Sequence, residues 1–181
     1  TVGKEGCDFL VLQEAVRKAV PERDEIVLMD PIHTEAGIII DRDVKIRGFG
    51  VERTILQAAE SPEIAQDRVL LIQESTTAVV SGVTIRHGNP NQPLRCGGGI
   101  QNYGDLILQD CAICSNLAVY GVGIWNKGSL VMRDCSVADN RSLRRTTAEI
   151  KSAAGCTGSG GGIKNEPDAD LTCYNSTISG N

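Results

Sequence analysis

From Gly97 onward, apolar and polar positions alternate in short runs, and the runs recur. Leu106-x-Leu108 is followed by Cys111-x-Ile113, Leu130-x-Met132 by Cys135-x-Val137, and Leu171-x-Cys173 by Ser176-x-Ile178. Period two over a few residues, closed by Gly, Asn or Asp, predicts short strands. The runs belong to three aligned segments: GGGIQNYGDLILQDCAICSN (97–116), GVGIWNKGSLVMRDCSVADN (121–140) and GGGIKNEPDADLTCYNSTISGN (160–181). In the alignment Ile100, Ile124 and Ile163 fall in one column. Asn102, Asn126 and Asn165 form a second column, and Asn116, Asn140 and Asn181 a third.

A unit of roughly 24 residues with three short strands is one coil of a parallel solenoid. Stacked coils place like residue on like about 4.8 Å apart. Inward asparagines can then hydrogen-bond along a column. Earlier stretches keep the register: Ala78, Val80, Val83 and Ile85 fall under Leu106, Leu108, Cys111 and Ile113. Val44-x-Ile46, Ile26-x-Leu28, Thr54–Leu56 and Val69–Ile72 supply further rungs. The start differs. Between Phe9 and Val20, Leu12, Ala15, Val16 and Ala19 lie at helical spacing, with Gln13, Glu14, Arg17 and Lys18 facing away and Pro21 as the stop. The expectation is an all-β, right-handed parallel β-helix of roughly six coils with a short N-terminal capping helix. Residues 1–24 would form the cap and 25–181 the solenoid, in one domain, with loop insertions near 87–96 and 141–159.

The segments FLVLQEAV (9–16), VKIRGFG (44–50) and TIL (54–56) make the chain resemble the pectin-lyase-like superfamily. The Gly-Gly-Gly-Ile and Ile-x-x-Asn units resemble repeats of bacterial surface proteins of the polymorphic outer-membrane type. The resemblance implies the fold and an extracellular or cell-surface setting. It leaves function open, because such solenoids include lyases, hydrolases and adhesins.

Composition narrows the picture. Aromatic residues make up only 3% of the 181-residue chain and there are 20 glycines, which suits a narrow layered interior. A net charge of −5 leaves no basic excess to neutralise phosphates, so nucleic acid is not an expected partner. No apolar run approaches the roughly 20 residues of a membrane span. The start at Thr1 without Met fits a processed or trimmed chain.

Seven cysteines are an odd number. Cys111-x-x-Cys114 has no second pair, and neither His33 nor His87 falls in the repeat, so no metal is expected and buried thiols are the preferred reading. Cys111 and Cys135 should stack inside. Cys96 and Cys156 lie in the two loops and would close a disulfide in an oxidising setting. Asp41, Asp43, Glu166, Asp168 and Asp170 could take calcium, but solvated turns are preferred.

Asp110 and Asp134 with Arg133 are the catalytic candidates for a polysaccharide lyase or glycosidase. The third coil has Asn175 at that position, so an Asp/Asn turn ladder is favoured. Gln101, Trp125 and Lys164 should point outward from the glycine strand, beside Tyr103, Lys127 and Glu166. Trp125, the only tryptophan, is expected to point outward, either as an exposed ring for a sugar or a protein partner or partly covered by the loops. Arg144 and Arg145 add a basic patch in the second loop. With nothing resembling a cap near Asn181, the last coil should expose strand edges; a cut from a longer solenoid or self-association with another subunit is preferred over a tolerated open edge. The expected function is a non-enzymatic scaffold, adhesin-like module, or assembly or filament subunit. The alternative is a carbohydrate-active enzyme working along the strand face.

Overall fold

The computed structural model describes residues 1–21, 24–91, 95–143 and 160–181. Three all-parallel sheets run the length of the chain. The first stacks β1 (Glu25–Val27), β4 (Val44–Arg47), β7 (Thr77–Ser81), β10 (Asp105–Gln109), β14 (Ser129–Arg133) and β18 (Asp170–Tyr174). The second stacks β2 (Ile32–Thr34), β5 (Ile55–Gln57), β8 (Thr84–Arg86), β11 (Ala112–Cys114), β15 (Ser136–Ala138) and β19 (Thr177–Ser179). The third stacks β3 (Ile38–Ile40), β6 (Leu70–Ile72), β9 (Ile100–Asn102), β13 (Ile124–Asn126) and β17 (Ile163–Asn165). Each coil takes one strand from each sheet, so the fold is a parallel β-helix of about six coils.

The register is the one the repeat implies. Leu106 pairs with Ala78 and Leu130, Ile113 with Ile85 and Val137, and Ile124 with Ile100 and Ile163. Their side chains are buried in one continuous apolar core. Two strands of the first coil, β2 and β3, were not anticipated. They give His33 a place in the repeat after all: it pairs with Leu56 and points inward.

Two asparagine ladders run through this interior. Asn102 donates to Asn126 and Asn126 to Asn165, each at 2.7 Å. In the second ladder the backbone N–H of Gly88 donates to the side chain of Asn116, that of Asn116 to Asn140, and that of Asn140 to Asn181. The residue before each rung (His87, Ser115, Asp139, Gly180) has a left-handed backbone that turns the chain into the ladder. Glycine makes the room. A Cβ on Gly123 would lie 2.7 Å from the Gly162 carbonyl oxygen and 3.0 Å from the Asn140 amide nitrogen.

The capping helix α1 (Leu12–Lys18) is shorter than the expected span. Val11 is already extended, and Phe9 is held in a β-bridge with Val2. The helix buries Leu12, Ala15 and Val16 over the first coil. Gln13 does not simply face away: its amide donates to the Ile39 carbonyl and accepts from the Ile39 N–H, replacing a missing strand on β3. The Glu35 carboxylate accepts from the N–H groups of Leu12 and Gln13 at 2.7 and 3.0 Å, capping the helix from the first coil.

Asn126 is fully buried and bonded on both sides of its amide, whereas Asn165 is exposed. Asn126→Leu is expected to cost about 3 kcal/mol in urea unfolding and Asn165→Ala about 1 kcal/mol, because only the first strands buried partners. His33 is 7% exposed, and its Nε2 has no hydrogen-bond partner among the described residues. Burial holds its pKa below the usual 6.5, against the pull of Asp30 and Glu35. The unfolded chain therefore binds more protons below about pH 6.5, and stability should fall as pH drops through that value. His33→Leu should flatten this slope in pH-dependent thermal unfolding, leaving only the share of His87, whose pKa burial also lowers.

Candidate functional site

The outward column of the third sheet runs Ile39, Leu71, Gln101, Trp125, Lys164, each paired with the next. Along it, exposure falls from an exposed Ile39 to a Trp125 that is 2% exposed. The expected exposed ring is therefore corrected: Trp125 does leave the main core, but it enters a second cluster with Cys96, Val119 and Tyr120. The cause lies in the connections that follow the second asparagine ladder. They fold back over the sheet, tied by the pair β12 (Leu117–Ala118) and β16 (Arg141–Ser142) and by a bridge between Cys96 and Tyr120. Among the described residues, Cys96 in the first insertion and Leu143 in the second both pack on this cluster over the third sheet.

The structure brings Gln101, Tyr103, Trp125, Lys127, Lys164 and Glu166 together. Tyr103 meets Trp125 edge-on at 5.6 Å, and the Gln101 amide donates to the Tyr103 hydroxyl at 2.8 Å. Trp125 Nε1 donates to Glu166 Oε1 at 2.6 Å, and Lys164 Nζ sits 2.9 Å from the same oxygen. Lys127 and Lys164 lie 5.0 and 5.5 Å from the Trp125 and Tyr120 ring centroids. Burial works against the Glu166 charge, but the Lys164 ammonium and the Trp125 N–H prevail and hold its pKa below the ordinary value. This carboxylate stays ionised at neutral pH and offers no proton. The cluster fastens the covering connections to the fourth and fifth coils.

Asp110, Asp134 and Asn175 all have left-handed backbones at the same turn, and Asn175 donates its amide to Asp134. Arg133 stacks on Tyr174 at 4.8 Å. This geometry gives the aspartates a turn-forming part. Cys111 and Cys135 are buried inside, and their shared hydrogen bond together with burial pushes the Cys111 thiol far up. Asp41 pairs with Arg42, and Asp43 accepts from the Thr77 N–H. Among the described residues no group of three His, Cys, Asp or Glu side chains is placed to hold a metal. Arg144, Arg145 and Cys156 lie outside the described residues.

One group was missed in the sequence. In the second coil Asp67-Arg68-Val69 occupies the place that Gly97-Gly98-Gly99 holds in the third, because Leu70 pairs with Ile100. Arg68 is 7% exposed and lines a cavity of about 230 Å³ with Gly37, Ile39, Asp67, Leu71 and Gln101. The signal was a charged pair directly before an apolar strand, and it went unread because no other coil repeats it.

Comparison with protein-family models, with curated proteins and with solved structures finds no match to this chain.

Trp125 should be poorly quenched by acrylamide. Glu166→Ala should raise the quenching and cost about 1–2 kcal/mol, because it leaves the half-buried Lys164 unpaired.

Proposed function

We propose that the chain is a structural β-helix module, an extracellular or cell-surface scaffold of the pectin-lyase-like, asparagine-ladder type, that associates through its last coil. One observation carries the reading. Leu171 and Ile178, which repeat the buried Leu130 and Val137, are exposed, Ile178 by 49%. Around them, among the described residues, β17, β18 and β19 each have a neighbour on one side only. This is an apolar end framed by unpaired strand edges.

For residues 1–181 taken by themselves, the occupant that suits it is a second copy of the same end. The first coil is covered by α1, which disfavours head-to-tail filaments and favours an isologous pair. A two-fold axis across the end sets the final strands antiparallel and joins the two apolar interiors. The alternative expectation, polysaccharide cleavage along the strand face, needs Gln101, Trp125 and Lys164 to be accessible. Trp125 is buried, Lys164 is half-buried, and Gln101 meets solvent only along a small cavity that neither of them lines.

Light scattering and sedimentation test the proposal. The wild-type chain is expected to dimerise, and Leu171→Lys with Ile178→Lys to weaken the dimer at least about tenfold without lowering the thermal midpoint of the monomer. A strict monomer at about 1 mM, or a dimer indifferent to both substitutions, would overturn it.

A further inference from the structure

The cavity beside the second coil carries a separate chemistry. It is lined by Gly37, Asp67 and Arg68 together with Ile39, Leu71 and Gln101 of the third sheet's outward column. Arg68 is held firmly from behind. Its carbonyl accepts from the Gly37 N–H at 2.8 Å, and its own N–H and Nε both donate to Asp67 Oδ1, at 2.8 and 3.3 Å. Asp67 is wedged in turn. Gly37 has φ of +67°, and a Cβ there would stand 3.0 Å from Asp67 Oδ2. These contacts occupy the Nε side of the guanidinium. The Nη1 and Nη2 nitrogens have no hydrogen-bond partner among the described residues, although the side chain is more than nine-tenths buried.

The body of the guanidinium is buried and fixed, while its two Nη nitrogens reach solvent in the cavity, so the unused fork is preorganised and open to a ligand. The two parallel N–H donors of that edge match the two oxygens of a carboxylate. Gln101 uses its amide nitrogen on Tyr103, which leaves its carbonyl oxygen to accept from a ligand hydroxyl. Ile39 and Leu71 offer apolar contact between these two polar points. The volume suits a small molecule, below the usual range of about 300–1,000 Å³ for drug-sized ligands.

The geometry points to a binding site for a small hydroxycarboxylate, with its carboxylate on the Arg68 fork, its hydroxyl on Gln101 and its carbon chain on Ile39 and Leu71. The site does not depend on how the last coil associates, since it lies in the first three coils. It is the accessible part of an outer face that the Trp125 cluster closes off further along.

Titration of the whole protein with sodium 2-hydroxybutyrate, butyrate and inorganic sulfate, followed by amide chemical shifts at constant ionic strength, tests this. Saturable shifts at Gly37 and Leu71 are expected with a Kd of about 1 mM for 2-hydroxybutyrate, several-fold weaker for butyrate and weakest for sulfate. Arg68→Lys keeps the charge but loses the fork and should weaken binding at least about tenfold. Gln101→Leu should abolish the preference for the hydroxy acid and leave butyrate binding intact. No saturable shift up to about 50 mM, equal binding of sulfate, or unchanged binding by Arg68→Lys would overturn the assignment. Should Arg68→Lys fail to fold, the Gln101→Leu preference alone decides the hydroxyl half and the wild-type butyrate-to-sulfate ratio the carboxylate half.

Discussion

An asparagine inside an apolar solenoid has to pass its hydrogen bonds to the next coil, and most of this structure follows from that constraint. A buried amide has two donors and an acceptor, and leaving any of them idle costs on the order of a lost hydrogen bond. Asn140 meets the demand by accepting from Asn116, bonding Asn181 in the coil beyond and donating to the Ile113 carbonyl. A slip of one residue would break every one of these bonds. The ladder therefore sets the register for all three sheets. It also requires a left-handed turn before each rung and a glycine where the neighbouring strand passes the amide, which is why Gly-Gly-Gly-Ile and Ile-x-x-Asn occur together.

The same constraint decides where the chain can vary. Between the ladder asparagine and the next glycine strand nothing has to stack, so insertions gather at that corner. In the third and fourth coils the described parts of the connections turn back over the third sheet and, with Leu143 of the fifth, build a second small core around Trp125. In the second coil the corresponding connection holds Asp67 and Arg68 against Gly37 instead, and a cavity remains. One corner of one repeat thus produces two different outer surfaces.

How much could be read in advance follows from which residues stack. Columns such as Leu106, Leu130 and Leu171 were legible because each residue has its own likeness as a neighbour, so repetition in sequence is pairing in space. The first coil was harder to read, since β2 places His33 where later coils place Leu56, Ile85 and Ile113. The outward direction of Gln101, Trp125 and Lys164 was legible from period two. Their burial was not, because the segments that cover them repeat nothing. Arg68 escaped notice for the same reason.

The two ends of the solenoid show what an open stack of strands requires. At the first coil, the Gln13 amide occupies both the N–H and the C=O of Ile39, Glu35 holds the start of α1, and Val2 bonds to Val27 and Met29. A few side chains and one bridging residue thus do what a whole strand would do, and the helix covers the apolar centre. The last coil offers the same kinds of group, with Leu171 and Ile178 at the centre and the Asn165 and Asn181 amides at the ends of their ladders, but no comparable cover among the described residues. A helix like α1 could shield the apolar centre, but only partners placed at strand spacing can continue two amide ladders. What these groups match is a β-coil stacked on them, whereas the first coil is matched by a helix and a few side chains, so the two ends of the described solenoid differ in kind.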